Sequence, residues 1–553
     1  MKQIICFIII LLTYGNSTAQ LLSGKSSKVA HADSLRGYLF PQRSCYDVTY
    51  YDLDLKLNIA DESVSGSNKI YMKAVNDFSQ IQIDLSDRLS IKQITDSDGS
   101  ILEYHRDGNA IQVYFKQPIL KNHQTHIAVE YFGNPVTGKL LPWDGGFKWT
   151  KDENGNPWVV VACQGAGASL WWPCKDHQSD EPDSMMISIT VPDTLINISN
   201  GRLRNVTDQP DRMKKFSWFV SYPINTYNVS INTGKFSHFS DYYINGSDTL
   251  TLDYYVKPYN LDKARQQFQQ VKPMLQCFER FFGKYPFWND GYKLVETPYL
   301  GMEHQSCIAY GNKYKTGYMG TDYSGIGLDF DYIIIHESAH EWWGNSITTN
   351  DIADMWIHEG FGSYAEVLYV ECLYGKNKAY DYVNAQRKKV RNDKPVIGPF
   401  GVNQEGSGDM YAKGSLLIHT IRNYISNDSL FFAILLEIQH NYALKTVNST
   451  DIEAFFSKKS GINLAPIFNQ YLRCAFVPVL EYEMVESLPL KIRYRWNAQV
   501  EDFNLPVLVD DDKNVERLNV TTRWQETVLP EFTVDRFRIR DDLGYFKIKQ
   551  IKN

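Results

Sequence analysis

Between residues 46 and 240 apolar and polar side chains alternate along the chain. Tyr51, Leu53, Leu55, Leu57 and Ile59 are interleaved with Asp52, Asp54, Lys56 and Asn58, the two-residue period of a strand with one buried face. Shorter runs of this kind recur at 81–85, 111–115 and 127–132. From about residue 260 the spacing turns helical, with Phe268, Val271, Leu275, Phe278 and Phe282 on one face and Pro273 marking a helix start or a kink. Further on, Thr450-Asp451-Ile452-Glu453 has the form of a capping box, and 467–472 reads as a last helix ending near Phe476. Beyond Pro478 alternation returns, with Ile492, Tyr494 and Trp496 between Lys491, Arg493 and Arg495, then Phe546, Ile548 and Ile551. The intervening Asp510-Asp511-Asp512-Lys513-Asn514 reads as a solvated turn, because the spaced oxygen ligands of a calcium loop are absent.

These patterns predict a multidomain α+β protein: a β-sheet domain over 20–240, a mainly helical domain over 241–476, and a small β-sandwich-like domain over 477–553. The first 19 residues carry Lys2, an apolar run over 4–12 and the small residues Ser17-Thr18-Ala19. That is the form of a secretory signal peptide, and the run is shorter than the ~20 residues a spanning helix needs. The expectation is export to a periplasm or the extracellular medium, with no transmembrane segment after cleavage. Cleavage removes Cys6 and leaves seven of the eight cysteines, scattered without CxxC spacing, so buried thiols with an occasional disulfide are expected. Asn197 and Asn228 head Asn-x-Ser sequences that a glycosylating host would read. At 43% hydrophobic the chain is too apolar for disorder, and a net charge of −7 argues against nucleic acid as its partner.

The chemistry concentrates in His336-Glu337-Ser338-Ala339-His340. On a helix two histidines four apart project from one face and can hold one ion, while Glu337 beside the first can address a metal-bound water without being a ligand. Glu359 follows His340 by 19 positions in a second helical segment, 355–366. With two imidazoles it completes a three-ligand set that leaves one zinc position open, as catalytic zinc requires. His358 and Glu366 are the alternative partners in that segment.

These segments resemble the M1 family of zinc aminopeptidases, gluzincins with this HExxH and following glutamate. Leu300-Gly301-Met302-Glu303-His304 is similar to the family's Gly-x-Met-Glu-Asn exopeptidase motif, with Leu300 and His304 as departures. The resemblance implies that Gly301, Met302 and Glu303 bind substrate, Glu303 through its free α-ammonium. Gln164, nine residues before Pro173-Cys174-Lys175-Asp176, matches a second residue at the amine. Tyr411, in Tyr411-Ala412-Lys413-Gly414, matches the tyrosine that donates to the oxyanion. Also implied are one Zn2+ per chain on His336, His340 and Glu359, a thermolysin-like catalytic domain, and peptides with a free N-terminus as substrates. The three domains correspond to the family's first three, without the large helical domain that closes the cleft in many members. The same zinc and base would serve an endopeptidase or an epoxide hydrolase, and an inactive peptide-binding protein is the alternative from another class.

Overall fold

The protein's structure, a computed structural model, describes residues 29–552. The signal-peptide reading, with Cys6, lies outside the described residues. The alternating runs of the first part form a seven-stranded sheet in the order Arg202–Gln209, Met213–Val220, Ser184–Pro192, Tyr46–Asn58, Ser63–Ala74, Gln124–Gly133 and Leu89–Asp96. Its neighbours are antiparallel except Tyr46–Asn58 with Ser184–Pro192. Tyr51, Leu53, Leu55 and Leu57 are buried as the alternation requires, whereas Ile59 falls in the turn beyond the strand. A three-stranded sheet around Ala110–Ile119 and a four-stranded sheet around Pro157–Ala162 complete the domain.

A five-stranded sheet follows, in the order Ser237–Asn245, Asp248–Val256, Tyr292–Glu296, Ile308–Tyr310 and Gly301–Met302. Its first strand begins before residue 240, so the expected junction falls inside a strand. Alternation cannot mark that boundary, because strands on both sides of it are half-buried in the same way. Val295, Tyr299, Met302, Cys307 and Ala309 of this region pack into the core of the N-terminal domain, which seats the Gly301–Met302 edge strand against it.

Helices dominate the remainder of this part, with one two-stranded parallel sheet of Ile347–Thr349 and Lys445–Val447. In Val271–Phe282 the expected apolar face is buried, and Pro273 lies in the first turn, where its missing N–H leaves no helical bond unmade. Trp356–Tyr374 is buried from Trp356 to Val370. It crosses Ala412–Ile425 so closely that a Cβ on Gly414 would meet the Gly360 Cα at 2.8 Å. This contact needs two glycines, and it brings Glu359 and Tyr411 to the same level of the fold. A disulfide, Cys277–Cys372, ties Val271–Phe282 to Trp356–Tyr374, while Cys45, Cys163, Cys174 and Cys307 are buried thiols. Among the described residues no helix is long and apolar enough to cross a membrane.

The C-terminal strands form a four-stranded sheet built on Val479–Ser487 and Leu490–Asn497 and a three-stranded sheet around Val507–Asp510. They share one apolar core with the helices, where the Tyr471 and Phe503 rings lie 6.3 Å apart. Phe546 is buried here, but Ile548 is exposed, because the short strand Lys547–Gln550 lies at the sheet edge.

Three local expectations are corrected. The helix Ser449–Ser460 is capped by Asn448 with Asp451, whose carboxylate accepts the Asn448 N–H at 2.8 Å, rather than by Thr450 with Glu453. Glu453 instead pairs with Arg473. The aspartate turn is not fully solvated: Asp511 is buried and accepts from the N–H groups of Lys513, Asn514 and Thr533, and Asp510 pairs with Arg538. Asn197 and Asn228 are 1% and 0% exposed, so neither can carry a glycan in the folded protein. Because the Asp451 carboxylate closes this cap, Asp451→Ala should cost about 1 kcal/mol and Thr450→Ala much less, which paired thermal melts of the two variants would measure.

Candidate active site

The helix that carries His336 spans Tyr332–Ala339, with His340 as its C-terminal cap residue still in helical backbone geometry. It starts at Asp331, whose carboxylate accepts the Ile333 N–H at 3.0 Å and is held in turn by Tyr310, Asn312 and Gln267. Ile333, Ile334 and Ile335 are buried, so this is an interior helix with its chemistry on a narrow face.

That face brings His336 Nε2 to 3.3 Å from His340 Nε2. Glu359 Oε2 lies 3.6 Å from the first and 3.4 Å from the second, and makes no hydrogen bond. Three donors sharing one tetrahedral zinc at 2.0–2.1 Å stand about 3.3 Å apart, so the set fits zinc. Imidazole orientation agrees. His340 Nδ1 donates to the Trp343 carbonyl at 2.9 Å, and His336 Nδ1 lies 2.7 Å from Glu366 Oε1, so each Nε2 lone pair faces the shared point. Glu366 is therefore an orienting partner and not a ligand. It is held by the Tyr382 hydroxyl, itself a partner of Tyr323, at 2.6 Å each. His358 turns away, its Nε2 accepting the Thr349 N–H at 3.0 Å.

Burial sets the acidity of these groups. It raises Glu337 to about 7, with His336 opposing and Glu303 adding to the rise. Burial also raises Glu303, but for Glu359 the neighbouring His340 and His336 outweigh burial and hold the carboxylate well below its usual range. Tyr411, stacked 6.0 Å from the His336 ring, is driven well above the usual tyrosine range by burial and by Glu359, so its hydroxyl remains a donor. A Cβ on Gly301 would lie 2.7 Å from Glu337 Oε1, so only glycine lets that carboxylate rest against the edge strand.

Glu303 and Gln164, far apart in the chain, meet here: Gln164 Nε2 donates to Glu303 Oε1 at 2.5 Å. Tyr227, for which the sequence carries no motif, donates to the same oxygen at 3.1 Å. Asn345 fixes the backbone by donating to the Glu303 carbonyl at 2.7 Å. The Met302 side chain is 1% exposed and packs in the N-terminal core, so its main chain is the part left to meet a substrate. Of the two departures from the motif, Leu300 packs against the helical core, and His304 is fully buried with neither ring nitrogen hydrogen-bonded, its pKa pushed down to about 3 by burial. A further carboxylate absent from the sequence reading, Glu405, reaches the loop of Gln164, where its Oε1 is 3.4 Å from the place of a Gly165 Cβ.

Comparison with known proteins agrees with this geometry. The Peptidase M1 N-terminal domain matches residues 48–228, and the Peptidase family M1 domain matches residues 266–471. Endoplasmic reticulum aminopeptidase 1 of Mus musculus is 22% identical over 428 residues, which cover 73% of this chain and 45% of that protein. Glutamyl aminopeptidase of Homo sapiens is 22% identical over 407 residues, covering 67% and 41%. The chain thus spans less than half the length of these relatives. An M1 zinc metallopeptidase from Deinococcus radiodurans superimposes with a TM-score of 0.67 at 19% identity, covering 78% of this chain and 94% of that one. A mutant of that enzyme bound to a Tyr-Ser-Ala substrate gives 0.66 at 19%, covering 80% and 98%. The two family segments take in both the β domain and the histidine–glutamate cluster, and the chain belongs to peptidase family M1.

Proposed function

We propose that this protein is an exported zinc aminopeptidase that removes single residues from the free N-terminus of peptides. The observation that carries this reading is Glu303, a buried carboxylate beside the metal ligands, already bonded by Gln164 and Tyr227. It offers a fixed anion to an α-ammonium one residue from the bond to be broken, which rewards binding in the one register that trims a single residue. The Gln164 amide nitrogen is committed to Glu303, so its oxygen is the atom left to accept from the ammonium.

His336, His340 and Glu359 would hold the zinc ion, which would supply the Lewis acidity that acidifies a water and polarises a carbonyl. Glu337 takes the proton from that water and returns it to the departing amine nitrogen, the double duty of a general acid–base. The Tyr411 hydroxyl donates to the carbonyl oxygen as negative charge gathers there. Gly301–Met302 is an edge strand of the five-stranded sheet, and its main chain can align an extended peptide by strand addition. Export rests on Lys2, the apolar run and Ser17-Thr18-Ala19.

Glu337→Ala is expected to lose about 10²- to 10⁴-fold in turnover with its zinc retained, and near-normal turnover on amino-acid anilides would remove Glu337 as the base. In Glu303→Ala the preference for free over N-acetylated peptides should collapse. A preference that persists would mean another group reads the amine. For Glu366→Ala, zinc affinity should fall about 10–100-fold through loss of His336 orientation, measured by competition with a chromophoric chelator.

A further inference from the structure

Glu405 is a cleft carboxylate that the proposed mechanism leaves unused. It lies on a loop pinned at both ends and at its tip. Gly398 N–H donates to the Ala353 carbonyl at 2.9 Å and Ser407 N–H to the Pro395 carbonyl at 2.8 Å. Asn403 Nδ2 donates to the Gly165 carbonyl at 3.2 Å, and the Asn403 N–H to the Asp33 carbonyl at 3.2 Å. The loop is therefore tied to the segment that carries Gln164, and Glu405 Oε1 stands 3.4 Å from the place of a Gly165 Cβ. The tip of this loop, through Val402 and Asn403, lines a cleft together with Gln164, Gly165, Tyr227 and the Arg36–Asp176 pair.

Although only partly exposed, Glu405 has no hydrogen-bond or ion-pair partner among the described residues. Its pKa is raised to about 7 by burial and by Glu359, with Lys394 opposing and Glu303 adding. The nearby cations are engaged or distant. Arg36 donates to the Gly165 and Ala166 carbonyls and pairs with Asp176 at 3.3 Å, and Lys394 is exposed without reaching Glu405. A shielded carboxylate without a partner is costly unless something supplies the opposite charge. With the α-ammonium on Glu303 and Gln164, the first side chain of a substrate would start beside the segment that carries Gln164 and Gly165. A long cationic side chain is the group that can reach Glu405 and pair with it.

Resting on the aminopeptidase reading, we propose that Glu405 makes the first-residue pocket select peptides that begin with lysine or arginine. Such pairing strengthens binding through a charge-assisted hydrogen bond. The test compares kcat/KM for arginyl, lysyl, leucyl and methionyl aminocoumarin amides with the zinc-loaded protein and with Glu405→Gln and Glu405→Ala. The wild type should favour the two cationic substrates, and each variant should lower the arginyl-to-leucyl ratio about 10–100-fold. A wild type that favours leucine, or a loss equal for all substrates, overturns the proposal. Calorimetric titration with argininamide and leucinamide is independent of turnover. Tighter argininamide binding that is lost in both variants supports the pocket, and equal binding of the two amides overturns it. If no unblocked substrate is cleaved yet argininamide still binds more tightly, the aminopeptidase reading fails and the cationic pocket stands.

Discussion

Concentrated negative charge in a dry cleft is the constraint on which the rest of this structure depends. Glu303, Glu337 and Glu359 are 3%, 8% and 2% exposed, and they surround two imidazoles whose Nε2 atoms face one another. Carboxylates gathered in low dielectric repel each other and resist ionisation, and among the described residues no lysine or arginine pairs with them. A divalent cation resolves the conflict, as the donor set and its spacing require. Around that point the scaffold is built for orientation: Asp331 fixes the start of the histidine helix, Glu366 and the Trp343 carbonyl set the two imidazoles, and the Gly360–Gly414 contact brings Glu359 and Tyr411 together.

Five glutamates of the cleft acquire five different assignments from their surroundings alone. Glu359 faces two imidazoles and stays ionised. Glu337 rests against Gly301 with its pKa lifted by burial, suited to the proposed proton transfer. Glu303 is held by an amide and a phenol, Glu366 by a phenol and an imidazole, and Glu405 by no group among the described residues. One side-chain chemistry is thereby divided among the proposed roles of ligand, base, amine anchor, orienting group and selector of the first residue.

The cleft is also a seam between domains. Gln164 and Tyr227 come from the β domain, Glu303 from the five-stranded sheet, and the metal donors from two interior helices. The cluster that contains Trp171 and Trp172 also contains Val295, Met302 and Ala309. Apolar burial across the seam, and not any single polar contact, holds Gln164 against Glu303. The segment His31–Gly37 adds to this wall, through Arg36 on the loop of Gln164 and the Asp33 carbonyl on Asn403.

Periodicity in the sequence carried the strands around Tyr51 and Ile127 and the helix that buries Phe278, because a two- or 3.6-residue period is a local property that survives in any packing. The spacing of His336, His340 and Glu359 was legible for a related reason: four residues on a helix bring two imidazoles to one face whatever lies around them. Other features depend on groups distant in sequence. The approach of Thr533 to Asp511 and the burial of the Met302 side chain in the N-terminal core each follow from a backbone geometry that the local residues do not determine. Tyr227 and Glu405 belong to no motif. What the sequence by itself determined was the set of chemical groups and those pairs close enough in the chain for local geometry to join them. Only the tertiary structure decided which carboxylate meets which partner, because burial and the packing of two domains, acting across more than a hundred residues, set those distances.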